Sequence, residues 1–318
     1  MIMLRTLWLV MASFAVAVFA PAPASAQSYP TQRVTIVVPF GAGSVTDIMA
    51  RILSDELAKR WNQQVIVENR PGLAGTAAVA KAAPDGYTLM LTSNGHTVAA
   101  LVSKNIPFDP VKDFAGITRV SSSPLSLIVY PGVPVKNVPE LIANAKANPG
   151  KLNFSSPGLA STTFIAGALF RKAAGINIVH VPYKSVPEAV SAVIRGDAHM
   201  YFAPTNVAKE QGEAGKVTVV GSVTPQRLPE TPNTPTFREQ GLDYVYDAWF
   251  GLMAPAGVPK DIIARVNHDV VAILKSPETK AKLAAQFLVP ATDTPDEFDK
   301  IIRDGTARMT EVFKEITN

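Results

Sequence analysis

Between Val34 and Arg51 the chain reads VTIVVPFGAGSVTDIMAR, and this stretch restricts the possible folds more than any other. Residues 34–38 are dense in β-branched side chains and stop at Pro39, the composition of an interior strand of a parallel sheet. Ile48, Ile52, Leu53 and Leu57 then recur at helical spacing, and Ser44 or Thr46 can cap that helix, with Asp47 close to the acidic capping-box position. Gly41-Ala42-Gly43-Ser44 lies between strand and helix. Its two glycines let the backbone approach a bound group, and the first helical turn offers unpaired N–H donors. The helix dipole alone favours a carboxylate or phosphate there by about 0.3–1 kcal/mol. Phe40, Gly41, Ala42, Gly43, Ser44, Thr46 and Asp47 are therefore candidate anion-binding residues.

The N-terminus carries an address. Arg5 precedes an apolar run over residues 7–20, and Ala24-Ser25-Ala26 forms a small-residue cleavage site, so residues 1–26 are expected to be a signal peptide cut after Ala26. What remains of the 318 residues is near the size at which one core splits into two, and two lobes are expected. No further apolar run approaches the ~20 residues that span a bilayer, which makes the periplasm the expected compartment. With no cysteine in the chain, disulfides, thiolate metal sites and a cysteine nucleophile are excluded. Loss of Arg5 takes the net charge from +4 to +3, and the basic residues are scattered. Such a surplus suits a small anion, whereas nucleic acid would need a clustered basic face.

Strand and helix patterns alternate along the chain. Strands are expected at 65–67, 87–92, 126–130, 151–154, 178–181, 200–203 and 217–223, and helices at 76–83, 138–147, 164–174, 187–195, 262–274 and 295–315. This is the signature of βαβ units with helices on both sheet faces. The lobe boundaries are placed at residues 27–125, 126–247 and 248–318, the last segment returning to the first lobe, with the return near the aromatic cluster Tyr244, Tyr246, Trp249 and Phe250. Residues 108–114 read as a turn and a docking edge.

In open α/β sheets the carboxyl ends of the strands carry the ligand crevice, and several polar loops fall there. Asn94 and His96 follow the third strand. Ser156, Gly158, Ser161, Thr162 and Thr163 repeat the first loop's plan of small and hydroxylated residues before a helix, with more hydroxyls than capping requires. Tyr183 and Lys184 combine a flat apolar face, a phenolic donor and a full positive charge, which suits a carboxylate on an organic skeleton. Pro204 and Thr205 reach the same edge.

VPFGAGSVTD at 38–47, ENRPG at 68–72, PDGYTL at 84–89, FDPVKDF at 108–114, NPGKLNFSSPG at 148–158, HVPYK at 180–184 and WFGLMAPAGVP at 249–259 together resemble the extracytoplasmic solute receptors of tripartite tricarboxylate transporters, the Bug family. The likeness runs in order through all of the chain beyond residue 26. It implies an α/β, two-lobed type II periplasmic-binding-protein-like fold, each lobe a mostly parallel sheet flanked by helices, closing on a di- or tricarboxylate or an aromatic acid. It also implies a ligand held by backbone groups, hydroxyls and ordered waters, and partner proteins in the cytoplasmic membrane. Ala42-Gly43-Ser44 departs from the family's usual Pro-Gly-Gly, and Ser185 from its usual glycine. Phe164 stands where a histidine is common, which predicts a less polar pocket wall and a ligand with an apolar or aromatic body.

No catalytic residue, cofactor or metal is expected, and the receptor is expected to act as a monomer. Gly41-x-Gly43 with Glu68 imitates a dinucleotide fingerprint, but Thr46 replaces the third glycine. His96, His180, His199 and His268 lack nucleophile and acid partners, and neither Gly-x-Ser-x-Gly nor His-Glu-x-x-His occurs. An exported sensor subunit for a carboxylate signal is the alternative reading.

Overall fold

The alternation read from the sequence becomes two mixed sheets in the computed structural model, which describes residues 29–317 apart from Lys104, with side chains as far as residue 314. The expected signal peptide lies outside the described residues. In the first sheet β1 (Val34–Val38), β2 (Val65–Asn69), β3 (Thr88–Ser93) and β4 (Phe114–Ser123) run in one direction. The second sheet opens with β5 (Leu125–Val129), which runs against β6 (Asn153–Ser156), β7 (Val179–Pro182), β8 (Met200–Pro204) and β9 (Thr218–Ser222). The reversed strands β10 (Ala248–Pro255) and β11 (Val289–Pro290) return to the first sheet. Strand orders are β11-β4-β10-β3-β1-β2 and β7-β6-β8-β5-β9.

The helices are α1 (Val45–Trp61), α2 (Leu73–Ala80), α3 (Ala99–Val102), α4 (Val138–Ala147), α5 (Thr162–Ala174), α6 (Val186–Arg195), α7 (Thr205–Glu213), α8 (Lys260–Lys275), α9 (Pro277–Ala284) and α10 (Pro295–Thr317). Local chemistry sets their ends. Ser44, Ser161 and Ser185 cap α1, α5 and α6 by accepting from the backbone N–H three residues on, and Asn62, Gly175 and Gly196 close the same helices in the left-handed region.

Register decides where the loops go. The chain passes from β4 to β5 through Pro124 alone, and Ser123 pairs with Ala248 while Leu125 pairs with Pro204. The carboxyl ends of β1–β4 and of β6–β9 therefore lie at the two edges joined by the crossings, the second of which spans residues 223–247. Every polar loop singled out in the sequence sits at one of these edges.

Three findings differ from the sequence reading. β4, where no strand was expected, and β10, part of which was expected as the return crossing, are interior strands of the first sheet and run antiparallel to each other. β4 reads FAGITRVSSS, too rich in small and polar residues to announce a strand, and Gly251 interrupts β10. Glycine is needed there: a Cβ on Gly251 would run into the Phe298 ring, and Gly116 of β4 donates its N–H to Asp299 Oδ1 at 2.6 Å. The third difference is α10, which was expected to finish against the first lobe. Phe298 and Ile302 pack with Val37, Met90, Trp249 and Met253 of the first sheet, yet Met309, Val312 and Phe313 belong to the apolar core of the second, where Phe313 meets Phe164 at 5.8 Å between ring centroids.

Gly251→Ala should destabilise the protein by about 1–3 kcal/mol, the usual penalty for forcing a group into a packed core. Urea unfolding of the purified protein measures it, and the double variant Gly251→Ala with Phe298→Leu should recover part of the loss.

Candidate functional site

The first loop is built around a carboxylate. Asp47, 3 % exposed, lies in the first turn of α1 with its side chain turned back to the loop. Its Oδ2 accepts from the Gly43 N–H at 2.9 Å and from Arg51 Nε at 3.1 Å; its Oδ1 accepts from Arg51 Nη2 and Asn69 Nδ2, both at 2.9 Å. Desolvation pushes the carboxyl pKa up, but hydrogen bonds from Arg51, Gly43 and Asn69 outweigh it and hold the group below its ordinary range. Asn69 also donates to the Phe40 carbonyl, and the Gly72 N–H donates to the Pro39 carbonyl at 3.0 Å. Asp47, expected to touch ligand, instead has both oxygens engaged within the first sheet's own loops.

What this bracing leaves open is backbone. Gly41, Ala42 and Gly43 are exposed, and a Cβ on either glycine would point into open space, although Gly43 at φ 79° favours glycine. Ser44 Oγ is spent on the Asp47 N–H, and Thr46 is buried. The N–H groups of Val45 and Thr46 have no protein acceptor among the described residues, as at any helix start.

The loop after β6 repeats the plan. Ser161 caps α5 by accepting from the Phe164 N–H at 3.1 Å and donates its own hydroxyl to the Gly158 carbonyl at 2.7 Å. Gly158 stands at φ 118° with open space where a Cβ would be, and Leu159 is 42 % exposed. Ser161 and Thr162 are half-buried, while Thr163 is buried. Ser156 is fully buried, its hydroxyl 2.7 Å from His180 Nε2 and within reach of the Gly158 N–H. Burial takes His180 down to about 4, so it is neutral at pH 7.

Across the edge, the two halves touch. Residues 94–98 form a 3-10 turn after β3, the neighbour of β1, and a Cβ on Gly95 would strike the carbonyl of Ala160. Glycine at 95 thus lets the backbone of one sheet's loop press on that of the other.

Two residues of the turn do not face a ligand there. His96 points into the core, its Nε2 2.7 Å from the Pro110 carbonyl and its ring edge-on to Phe114 at 4.8 Å. Asn94 is buried with Nδ2 directed at the Tyr246 hydroxyl. Phe164 likewise is no pocket wall: 1 % exposed, it lies among Phe154, His180 and Phe313. In the first turn of α5 it follows the buried Thr163, on the side of the helix that faces the core.

Tyr183 is half-buried at the end of β7, donating its N–H to the Ser156 carbonyl, and Lys184 is exposed with its ammonium unpaired among the described residues. Pro204 is half-buried. Thr205 bonds Ser126 at 3.0 Å and opens on a separate cavity of about 470 Å³ with Lys209, Glu230 and Thr231. Glu68 of the dinucleotide-like pattern pairs with Arg70 at the surface. Asn69, which braces the first loop, was not singled out in the sequence, although it lies in the motif ENRPG at 68–72. Among the described residues no group of acidic, histidine or cysteine side chains could hold a metal.

Asp47→Ala should leave a folded but looser protein, destabilised by about 1–3 kcal/mol through the lost side-chain bonds to the Gly43 N–H, the Asn69 amide and Arg51. Thermal melts measure that. Burial lowers His96 to about 4 against an ordinary 6.5, opposed by its bond to Pro110. As pH falls from 6.5 towards 4 the unfolded chain gains a proton that the native one does not, so up to about 3 kcal/mol of stability should be lost across that window. Urea midpoints between neutral and acid pH should show a shallower decline in His96→Phe.

The chain matches known proteins along most of its length. The model of the tripartite tricarboxylate transporter family receptor matches residues 49–317. Protein BugT of Bordetella pertussis is 33 % identical over 300 residues, covering 92 % of each chain. The structure of R. palustris Rpa4515 with adipate shares 30 % identity at a TM-score of 0.73, covering 90 % of this chain and 97 % of that one. MatC (Rpa3494) from Rhodopseudomonas palustris with bound malate shares 28 % at 0.71, covering 90 % and 100 %. The two-sheet architecture, the order of its loops and these matches have one conclusion: the chain belongs to the tripartite tricarboxylate transporter receptor family, the Bug-type periplasmic solute receptors.

Proposed function

We propose that this chain, exported and cleaved after Ala26, captures a small dicarboxylate, tricarboxylate or aromatic acid between its two sheets and presents it to a tripartite tricarboxylate-type transporter. The observation that carries this reading is the pair of exposed helix starts, residues 41–46 and 158–163, on facing strand edges bridged by the contact of Gly95 with Ala160. Each offers free N–H groups and half a positive charge to one carboxylate. Lys184 adds charge at the rim. Phe40, Gly41, Ala42, Gly43, Gly158, Ser161, Thr162, Tyr183 and Lys184 are the residues assigned to the ligand.

The middle of the ligand is assigned from apolar exposure. Val45 and Leu159 are each 42 % exposed and Leu73 is 36 % exposed, all at loop or helix starts on these edges. Methylene groups or a ring would cover them, which fits relatives whose structures hold adipate and malate, acids with a carboxylate at each end. Because such a ligand touches both halves, it stabilises their approach, and a differential affinity of about 5.5 kcal/mol would carry the population from 1:99 to 99:1.

Calorimetric titration with adipate, malate, citrate and benzoate tests the proposal. A binder at 100 times its dissociation constant should raise stability by about 2.7 kcal/mol. Ala42→Glu, which sets a carboxylate at the exposed backbone of the first loop, should weaken binding by about tenfold or more without lowering stability. Absence of binding by every acid, or unchanged affinity in Ala42→Glu, would refute it.

A further inference from the structure

Phe287 is the residue that folding alone explains least. Its side chain is 58 % exposed, more than any other large apolar residue among the described ones, and its backbone is left-handed at φ 56°. It closes α9. The Phe287 N–H donates to the Ala284 carbonyl at 2.9 Å and the Leu288 N–H to the Leu283 carbonyl at 3.0 Å. These are the bonds of a Schellman motif, whose left-handed position is usually glycine because a side chain is strained there. Strain kept in order to hold an aromatic ring in water points to a use outside the chain's own core.

The ring stands beside a hole. With Pro124, Leu228, Ala284 and Val289 it lines a cavity of about 210 Å³, and Pro124, Leu228 and Val289 also line a neighbouring one of about 380 Å³. A dry cavity of ~150 Å³ holds benzene, so a phenyl ring fits either. Val289 is 46 % exposed and lies in β11, which ends the first sheet's strand order and has no strand on its outer side. Lys209 of α7 and Glu230 of the second crossing line the smaller cavity as well. Both are exposed, and neither has an ion-pair partner among the described residues.

We propose that this face pairs with a second copy of the chain about a two-fold axis, the Phe287 ring of each copy entering the hole of the other and Lys209 of each meeting Glu230 of the other. A two-fold interface uses one patch twice, so the patch must be its own complement. This one carries a knob and a hole, a cation and an anion, side by side. A partner of different sequence would require only one member of each pair. A few apolar side chains make a contact of the small, reversible class, so the dimer forms with rising concentration and the monomer expected from the sequence is its dilute form.

Sedimentation velocity of the full mature protein, without ligand and up to about 300 μM, tests the proposal. The wild type should move from monomer towards dimer across that range. Phe287→Gly should stay monomeric throughout while melting about 2 °C higher, which separates lost association from lost folding. Lys209→Glu and Glu230→Lys, surface changes that leave the apolar centre intact, should each weaken self-association by about tenfold. An equimolar mixture of those two variants restores both ion pairs in the mixed dimer and should associate like the wild type. The proposal is overturned if the wild type is monomeric at every concentration, if Phe287→Gly associates as well as the wild type, or if mixing the charge variants recovers nothing.

Discussion

A one-residue crossing governs this molecule. Because β4 passes into β5 through Pro124 alone, the strand edges on either side of it cannot separate by more than the chain allows, and both sheets must present their carboxyl ends to the same gap. Strand direction does the rest. With β1–β4 and β6–β9 each running one way, every strand-to-helix loop opens on that gap, and every helix that follows such a strand begins there. The partial positive charges of several helix starts are thereby gathered without any cluster of basic side chains. That explains how a chain with only a small surplus of scattered positive charge can be shaped for anions.

Gathering dipoles would achieve little if the loops were slack, and here the buried carboxylate of Asp47 matters. A negative charge inside a loop proposed to hold an anion is paradoxical until its partners are counted. Gly43, Arg51 and Asn69 consume both oxygens, so the group acts on the loop's shape while Arg51 neutralises its charge. Ser161 plays the corresponding part in the second loop with an uncharged hydroxyl, bonding both Gly158 and Phe164. In each case a side chain holds the turn so that main-chain N–H groups remain for something else, at no further entropic cost when that something arrives.

Periodicity made the helices and the strands flanked by them legible, because each buries one face or both with a regular apolar pattern. β4 and β10 were illegible for a physical reason. Their glycines at 116 and 251 exist to receive α10, and a position selected to be empty carries no hydrophobic signal. The loops were legible as loops but not as side-chain directions. His96, Asn94, Ser156 and Phe164 all lie within candidate segments yet turn inward, because the whole 3-10 turn at 94–98 is buried where the two halves touch, Ser156 ends a buried strand, and α5 goes straight from the half-buried Ser161 and Thr162 to the buried Thr163 and Phe164. Residue type marked the candidate loops; it could not say which of two neighbours looked outward.

The last helix changes what motion the molecule can perform. If α10 had packed on the first sheet alone, the two halves would be joined only by their crossings and free to swing. Instead Phe298 and Ile302 anchor one part of the helix to the first core, and Met309, Val312 and Phe313 sink the other part into the second, with Gly305 between them. Glycine in a helix interior weakens it by about 1 kcal/mol relative to alanine, so the softest point of this link falls where the helix leaves one core for the other. Closure of the halves must then bend α10 near Gly305 or slide its second part across α5.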